Sequence, residues 1–195
     1  MARRKKGLTF YEKEKKITKA MIKEILWMIF YCFAAIFVAF VFVFSVGMQV
    51  GIIGVSMEPG LYNGQEVLIN RLVYRLSSPE RGDIIAFLPN GNKNSHYYVK
   101  RVVGLPGETI QIIDGYVYID GKFYAEDDNY DKIVDPGIAE TELKLGTDEY
   151  FVLGDNRNNS EDSRSGNIGP VHKDTIEGQA WFHLSCEEDG MGVIK

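Results

Sequence analysis

Tyr97-Tyr98-Val99-Lys100-Arg101-Val102-Val103, closed by the turn Gly104-Leu105-Pro106-Gly107, is a strand. Alternation places Tyr98, Lys100 and Val102 on one face and Val99, Arg101 and Val103 on the other. Each face therefore carries one cation among apolar side chains. On an edge strand both cations reach water along their aliphatic stems. If one is buried instead, only Lys100 can become a neutral base, because burial depresses a lysine pKa far more readily than it deprotonates an arginine. Periodicity alone leaves the choice of inner face open.

Working outward from this strand, the neighbouring segments are also extended. Residues 66–70 follow the Asn63-Gly64 turn, and residues 83–88 end at Pro89-Asn90-Gly91. Residues 109–113 and 116–119 flank Asp114-Gly115, the signature of a tight hairpin, and Asp120-Gly121 turns the chain again. Residues 149–153 and 178–184 supply two more strands. Residues 71–76 are ambiguous, residues 124–146 read as an irregular insertion around Pro136-Gly137, and the acidic tail reads as loose. The expected fold is a mainly β, antiparallel domain. Arg81-Gly82-Asp83 is read as a turn before a strand, not as an adhesion motif.

Upstream, residues 25–46 run for 22 positions without a charge, long enough as a helix to cross about 30 Å of hydrocarbon. Trp27 and Tyr31 near the start suit an interfacial belt. Cleavable secretory signals have shorter apolar cores, so an uncleaved anchor is favoured despite the small-x-small triplet Ser45-Val46-Gly47. Residues 1–24 carry nine Lys/Arg against three Glu, a local net charge of +6, while the rest of the chain carries −11. That asymmetry predicts a basic cytoplasmic N-terminus (1–24), a transmembrane anchor (25–50) and an extracytoplasmic domain (51–195). An acidic outer domain argues against nucleic acid as a partner. Cys32 and Cys186 lie too differently to form an intramolecular disulfide.

Beyond the anchor comes Gly54-Val55-Ser56-Met57-Glu58-Pro59-Gly60-Leu61, which on its own reads as a turn between membrane and domain. In the last third lies Gly154-Asp155-Asn156-Arg157-Asn158-Asn159-Ser160-Glu161-Asp162-Ser163-Arg164. It is no calcium loop: with Asp155 as first ligand, Arg157 falls third and Gly166 where a bidentate Glu belongs. Asn158-Asn159-Ser160 matches a glycosylation sequon, a weak signal. What remains is a solvated loop or a hydrogen-bonded buttress of a site. A serine nucleophile needs a base beside it. His96, His172 and His183 are read as structural or surface residues.

Taken together, these segments resemble the type I signal peptidase family, the membrane-bound Ser–Lys endopeptidases of bacteria. The resemblance is carried by Ser56-Met57-Glu58-Pro59, Arg81-Gly82-Asp83-Ile84, the segment from Tyr98 to Glu108, and Gly154-Asp155-Asn156 through Asp162-Ser163-Arg164, in the family's order. It implies Ser56 as nucleophile, its backbone N–H as an oxyanion donor, and Lys100 as general base. It implies Ser160 as the hydroxyl that orients the lysine amine, Asp155, Asp162 and Arg164 as a structural charge network, and Met57 as packing beside the nucleophile. Gly54 stands where Gram-negative members carry a Ser or Thr that helps the oxyanion hole, and Gly60 where Thr is usual. After Arg164 the connection through Pro170 looks longer than usual.

The implied activity is removal of signal peptides from secretory preproteins with small residues at positions −1 and −3, at the lipid bilayer of the cell membrane. No cofactor, metal or obligate partner is expected. A cytoplasmic Ser–Lys autoprotease of the repressor-cleaving type is set aside by the apolar span. A catalytically inactive or narrowly dedicated member, or a non-enzymatic anchored surface protein, are the alternatives that a reactive-serine probe separates.

Overall fold

The computed structural model describes residues 18–126 and 130–194. The basic arm from Arg3 to Lys16, on which most of the charge asymmetry rests, lies outside the described residues. The chain divides into two compact units, Met1–Val41 and Phe42–Lys195.

The first unit consists, where described, of helix α1, Lys19–Val46, which runs on into the second. Among the described residues this is the one helix long and apolar enough to cross a membrane. Its 28 residues rise about 42 Å. Leu26, Phe30, Phe33, Phe37 and Phe40 are all exposed along it, as a helix without a polar face requires. Cys32 is free on this helix, and Cys186 is free in the domain.

The second unit is mainly antiparallel β. In chain order its elements are β1 Met48–Gly51, β2 Glu66–Asn70, the short helix α2 Val73–Leu76, β3 Ile84–Phe87, β4 Tyr98–Gly104, β5 Thr109–Ile113, β6 Tyr116–Ile119 and β7 Lys122–Phe123. They continue with β8 Leu143–Lys144, β9 Glu149–Leu153, β10 Val171–His172, β11 Ile176–His183 and β12 Gly192–Val193. The large sheet runs β1-β2-β11-β3-β4-β9-β10, with β12 also on β11; the small one runs β7-β6-β5-β8. Every pairing is antiparallel, but β11 lies between β2 and β3 and β9 lies beside β4, so long-range pairings join the hairpins in building the large sheet.

Strand β4 is the axis of the large sheet. Lys100 lies opposite Ile85 of β3, and Arg101 lies between Ile84 of β3 and Leu153 of β9. The pairing with β9 slips by one residue between Val102 and Gly104. A side chain at Gly104 would meet Ile110 and Phe151, each within 2.8 Å, so the small sheet packs directly on this bend. The Asp114-Gly115 hairpin has both residues left-handed, φ 52° and 84°, as a two-residue primed turn requires.

The structure differs from the sequence-based expectation in four places. Residues 48–50, expected within the anchor, form β1: Val50 is buried and pairs with Val67. Residues 71–76 include the one-turn helix α2. The described part of residues 124–146 is more built than an irregular insertion. It buries Ile133, Ala139 and Leu145 against the small sheet and adds β8 to β5. Those apolar residues stand six apart and are interrupted by Pro136-Gly137, so no continuous strand or helix pattern announced them. The acidic tail is pinned by β12 and by Ile194, which packs on the core around Val67 and Ile69.

Candidate active site

Ser56 sits on a tight turn nailed to the core at one end. Met57 and Leu61 are fully buried, and the Leu61 N–H donates to the Met57 carbonyl at 2.8 Å. On the other side Ile52 is paired with Gln65, and the Gly54 N–H donates to Asn63 Oδ1 at 2.8 Å. Gly54 has φ +84°, which a side-chain-bearing residue adopts only under strain. A serine here would therefore strain the turn before it could offer a hydroxyl.

The middle of β4 sends Lys100 to this turn. Lys100 is only 4% exposed, and its Nζ lies 2.6 Å from Ser56 Oγ. Burial lowers its pKa to about 8, against the upward pull of Asp162, Glu161 and Asp155. As an ammonium, Nζ donates to Oγ; once neutral, the same contact lets the Ser56 hydroxyl donate to Nζ. A cavity of about 320 Å³ opens over the pair, lined by Ile52, Val55, Tyr97 and Val99 among others.

The polar loop after β9 backs the site with two separate ion pairs. Arg101 grips Asp155 in bidentate fashion, Nε to Oδ1 and Nη2 to Oδ2, both at 2.8 Å. Arg164 grips Asp162 likewise, at 2.8 and 2.9 Å, while Asp162 Oδ2 also accepts the Gly154 N–H at 3.1 Å. A side chain at Gly154 would strike the Ser56 carbonyl at 2.4 Å, which makes glycine the residue that lets loop and turn touch. Asn156 joins them: its N–H donates to the Ser56 carbonyl and its Nδ2 to the Val55 carbonyl, each at 3.1 Å.

The structure thus brings Ser56, Lys100 and Met57 together and sets Asp155, Asp162 and Arg164 behind them. Ser160 lies against Gly154, its Oγ is buried, and it makes no hydrogen bond, so the expected contact with the lysine amine is not formed. Gly60 packs face-on against Asp155, where an added Cβ would come within 2.5 Å of Oδ2. The parts played by four residues had escaped the sequence: Arg101 as the partner of Asp155, Asn156 as the clamp, and Glu161 with Tyr98 at the cavity mouth. The alternation of β4 held a signal for the first, since it sets Arg101 opposite Lys100. None of the histidines bonds to Ser56 among the described residues. His96 stacks on Tyr98, His172 sits by Asp148 and Glu149, and His183 meets Gln65. Nor do the described residues hold a cluster of metal-ligating side chains.

A serine beside a buried lysine, on an anchored antiparallel β domain, defines the class of Ser–Lys hydrolases. The family model described as signal peptidase, peptidase S26, matches residues 22–184, and the chain belongs to this family of serine endopeptidases. Among its relatives are a probable signal peptidase I-2 from Synechocystis, 41% identical over 60% of this chain and 55% of that one, and signal peptidase I T from Bacillus subtilis, 39% identical over 66% and 69%. The chain thus spans little more than half the length of the first. A signal peptidase I from Bacillus amyloliquefaciens is 38% identical over 66% and 71%. A crystal structure of a signal peptidase I from Enterococcus faecalis is similar at 34% identity over 52% of this chain and 95% of that one, with a TM-score of 0.40. Helix α1, long and apolar enough to cross a membrane, agrees with a membrane-anchored member of this family.

Proposed function

We propose that this chain removes signal peptides from secretory preproteins, with Ser56 as nucleophile and Lys100 as general base. The single observation that carries this is the 2.6 Å contact between Ser56 Oγ and a lysine amine that is 4% exposed. Neutral Lys100 takes the Oγ proton as Ser56 attacks the scissile carbonyl. The Ser56 N–H faces the oxyanion. The protonated amine then gives its proton to the leaving amino group, and an acyl-enzyme forms on Ser56. Lys100, neutral again, takes a proton from the water that attacks the ester, then gives it to Ser56 Oγ as the ester bond breaks and the signal peptide leaves.

Ser160 is the hydroxyl that bonds to the amine once substrate enters the cavity. Its Oγ is buried without a hydrogen-bond partner, a situation that asks for one. Asp155, Asp162 and Arg164 hold the loop in register, and Met57 excludes water on the core side. The apolar walls at Ile52, Val55 and Val99 favour small side chains at −1 and −3. Residues 1–24 face the cytoplasm, the helix crosses the bilayer, and the domain from β1 onward works outside.

The test is cleavage of an Ala-x-Ala preprotein in detergent or vesicles by wild type, Ser56→Ala and Lys100→Met. Cleavage after the second Ala by wild type alone is expected. Full activity in Lys100→Met sinks the base assignment, and a folded wild type that cuts no preprotein sinks the substrate.

A further inference from the structure

We infer that Asn156 is a positioning residue that aims the Ser56 N–H, and so sets the strength of the oxyanion site. This rests on the assignment of Ser56 proposed above. In a trans peptide the carbonyl and the following N–H point in opposite directions. The Val55 carbonyl and the Ser56 N–H belong to one such unit, so whatever holds the carbonyl aims the donor. Two groups hold it: the Glu58 N–H at 3.2 Å, within the turn, and Asn156 Nδ2 at 3.1 Å, from a loop one hundred residues away. The Asn156 N–H fixes the next unit as well, through the Ser56 carbonyl at 3.1 Å. Two successive peptide planes are thereby locked on either side of the nucleophile. The Ser56 N–H points away from Asn156 and donates to no acceptor among the described residues.

The lock matters more here because the turn offers little else. Gly54 has no side chain to contribute a second donor, and its left-handed φ resists replacement. The turn's own bond, from Glu58, leaves the peptide free to rock about the chain axis. The bond from Asn156 comes from outside the turn and stops that rotation. Asn156 is not among the residues that line the cavity, so it acts through the backbone of Ser56 and not on substrate. The Asn156 backbone bond survives any side-chain change, which separates aiming the donor from merely tethering the loop.

The experiment compares wild type with Asn156→Ala and with the isosteric Asn156→Asp, which keeps the shape but removes the donor. In both, plateau kcat on an Ala-x-Ala substrate falls about 10- to 100-fold while KM stays within about twofold. A peptide aldehyde ending in Ala, whose adduct with Ser56 needs the N–H, loses affinity by the same factor. A reduced-amide analogue, which has no carbonyl at the scissile position, binds as to wild type. Wild-type kcat in either variant overturns the inference. So does equal loss of affinity for aldehyde and reduced amide, the mark of a merely structural residue. Failure of the Ser56 and Lys100 assignment shows separately, as activity remaining in Ser56→Ala or Lys100→Met in the same assay.

Discussion

Lys100 carries a conflict between stability and chemistry. Its folded pKa of about 8 lies below its ordinary value of 10.5, so the folded chain binds fewer protons than the unfolded one between those two pH values. Stability therefore rises with pH across that window, and below pH 8 the full cost of burying an ammonium is present, about 3 kcal/mol. At pH 7 Lys100→Met should raise stability by roughly 1–3 kcal/mol while abolishing cleavage, as thermal melts and activity assays would show. A fall in melting temperature would mean the lysine is a net stabiliser. As the proposed base, Lys100 must be neutral to act, so the rate should climb with pH through about 8. Glu161, hydrogen-bonded by the Tyr98 hydroxyl at 3.2 Å, helps keep the lysine charged. In Glu161→Gln the acid limb of the pH–rate profile should move to lower pH; an unmoved limb would remove Glu161 from the site's electrostatics.

At the scale of elements, the site is a seam between the Ser56 turn, strand β4 and the loop after β9, and Gly60, with Gly154, is one of its tight points. A methyl group there would press on a carboxylate that Arg101 holds from the other side. Gly60→Ala is therefore expected to destabilise the domain by about 1–3 kcal/mol and to lower activity, measured by unfolding and by cleavage. A variant with wild-type stability and activity would show that Asp155 can yield without consequence. The same seam shows what the sequence could and could not reveal. That Ser56 and Lys100 would meet was legible because the surrounding motifs have a recognisable order. The inner face of β4 was not legible, because both of its cations turned out to have inside partners: Lys100 the Ser56 hydroxyl, Arg101 a carboxylate 54 residues away. Hydrophobic alternation reports apolar burial and is silent on paired charges. Strand β1 escaped because four residues after a long apolar run do not change the local pattern. Asn156 escaped because a residue whose side chain and backbone each hold one carbonyl leaves no mark in composition.

At the scale of the whole molecule, the question is on which side of the membrane the domain works. The proposed orientation follows from a net +6 in residues 1–24 against −11 in the remainder, with a helix of bilayer length between them. Cleavage of exported chains needs Ser56 on the far side, and Ser56 follows the end of α1 at Val46 by only ten residues. An extended stretch of that length reaches at most about 35 Å, so Ser56 cannot stray far from where the helix ends. The chain carries its own reporters. Cys186 is partly exposed in the domain, whereas Cys32 lies on the helix. A membrane-impermeant maleimide should label Cys186 in right-side-out vesicles, and in inverted vesicles only after detergent is added. Cys186→Ser should abolish the signal in both. Labelling confined to inverted vesicles would place the domain in the cytoplasm, where exported preproteins are not released. The Ser–Lys pair would then need a different substrate, even if its chemistry were intact.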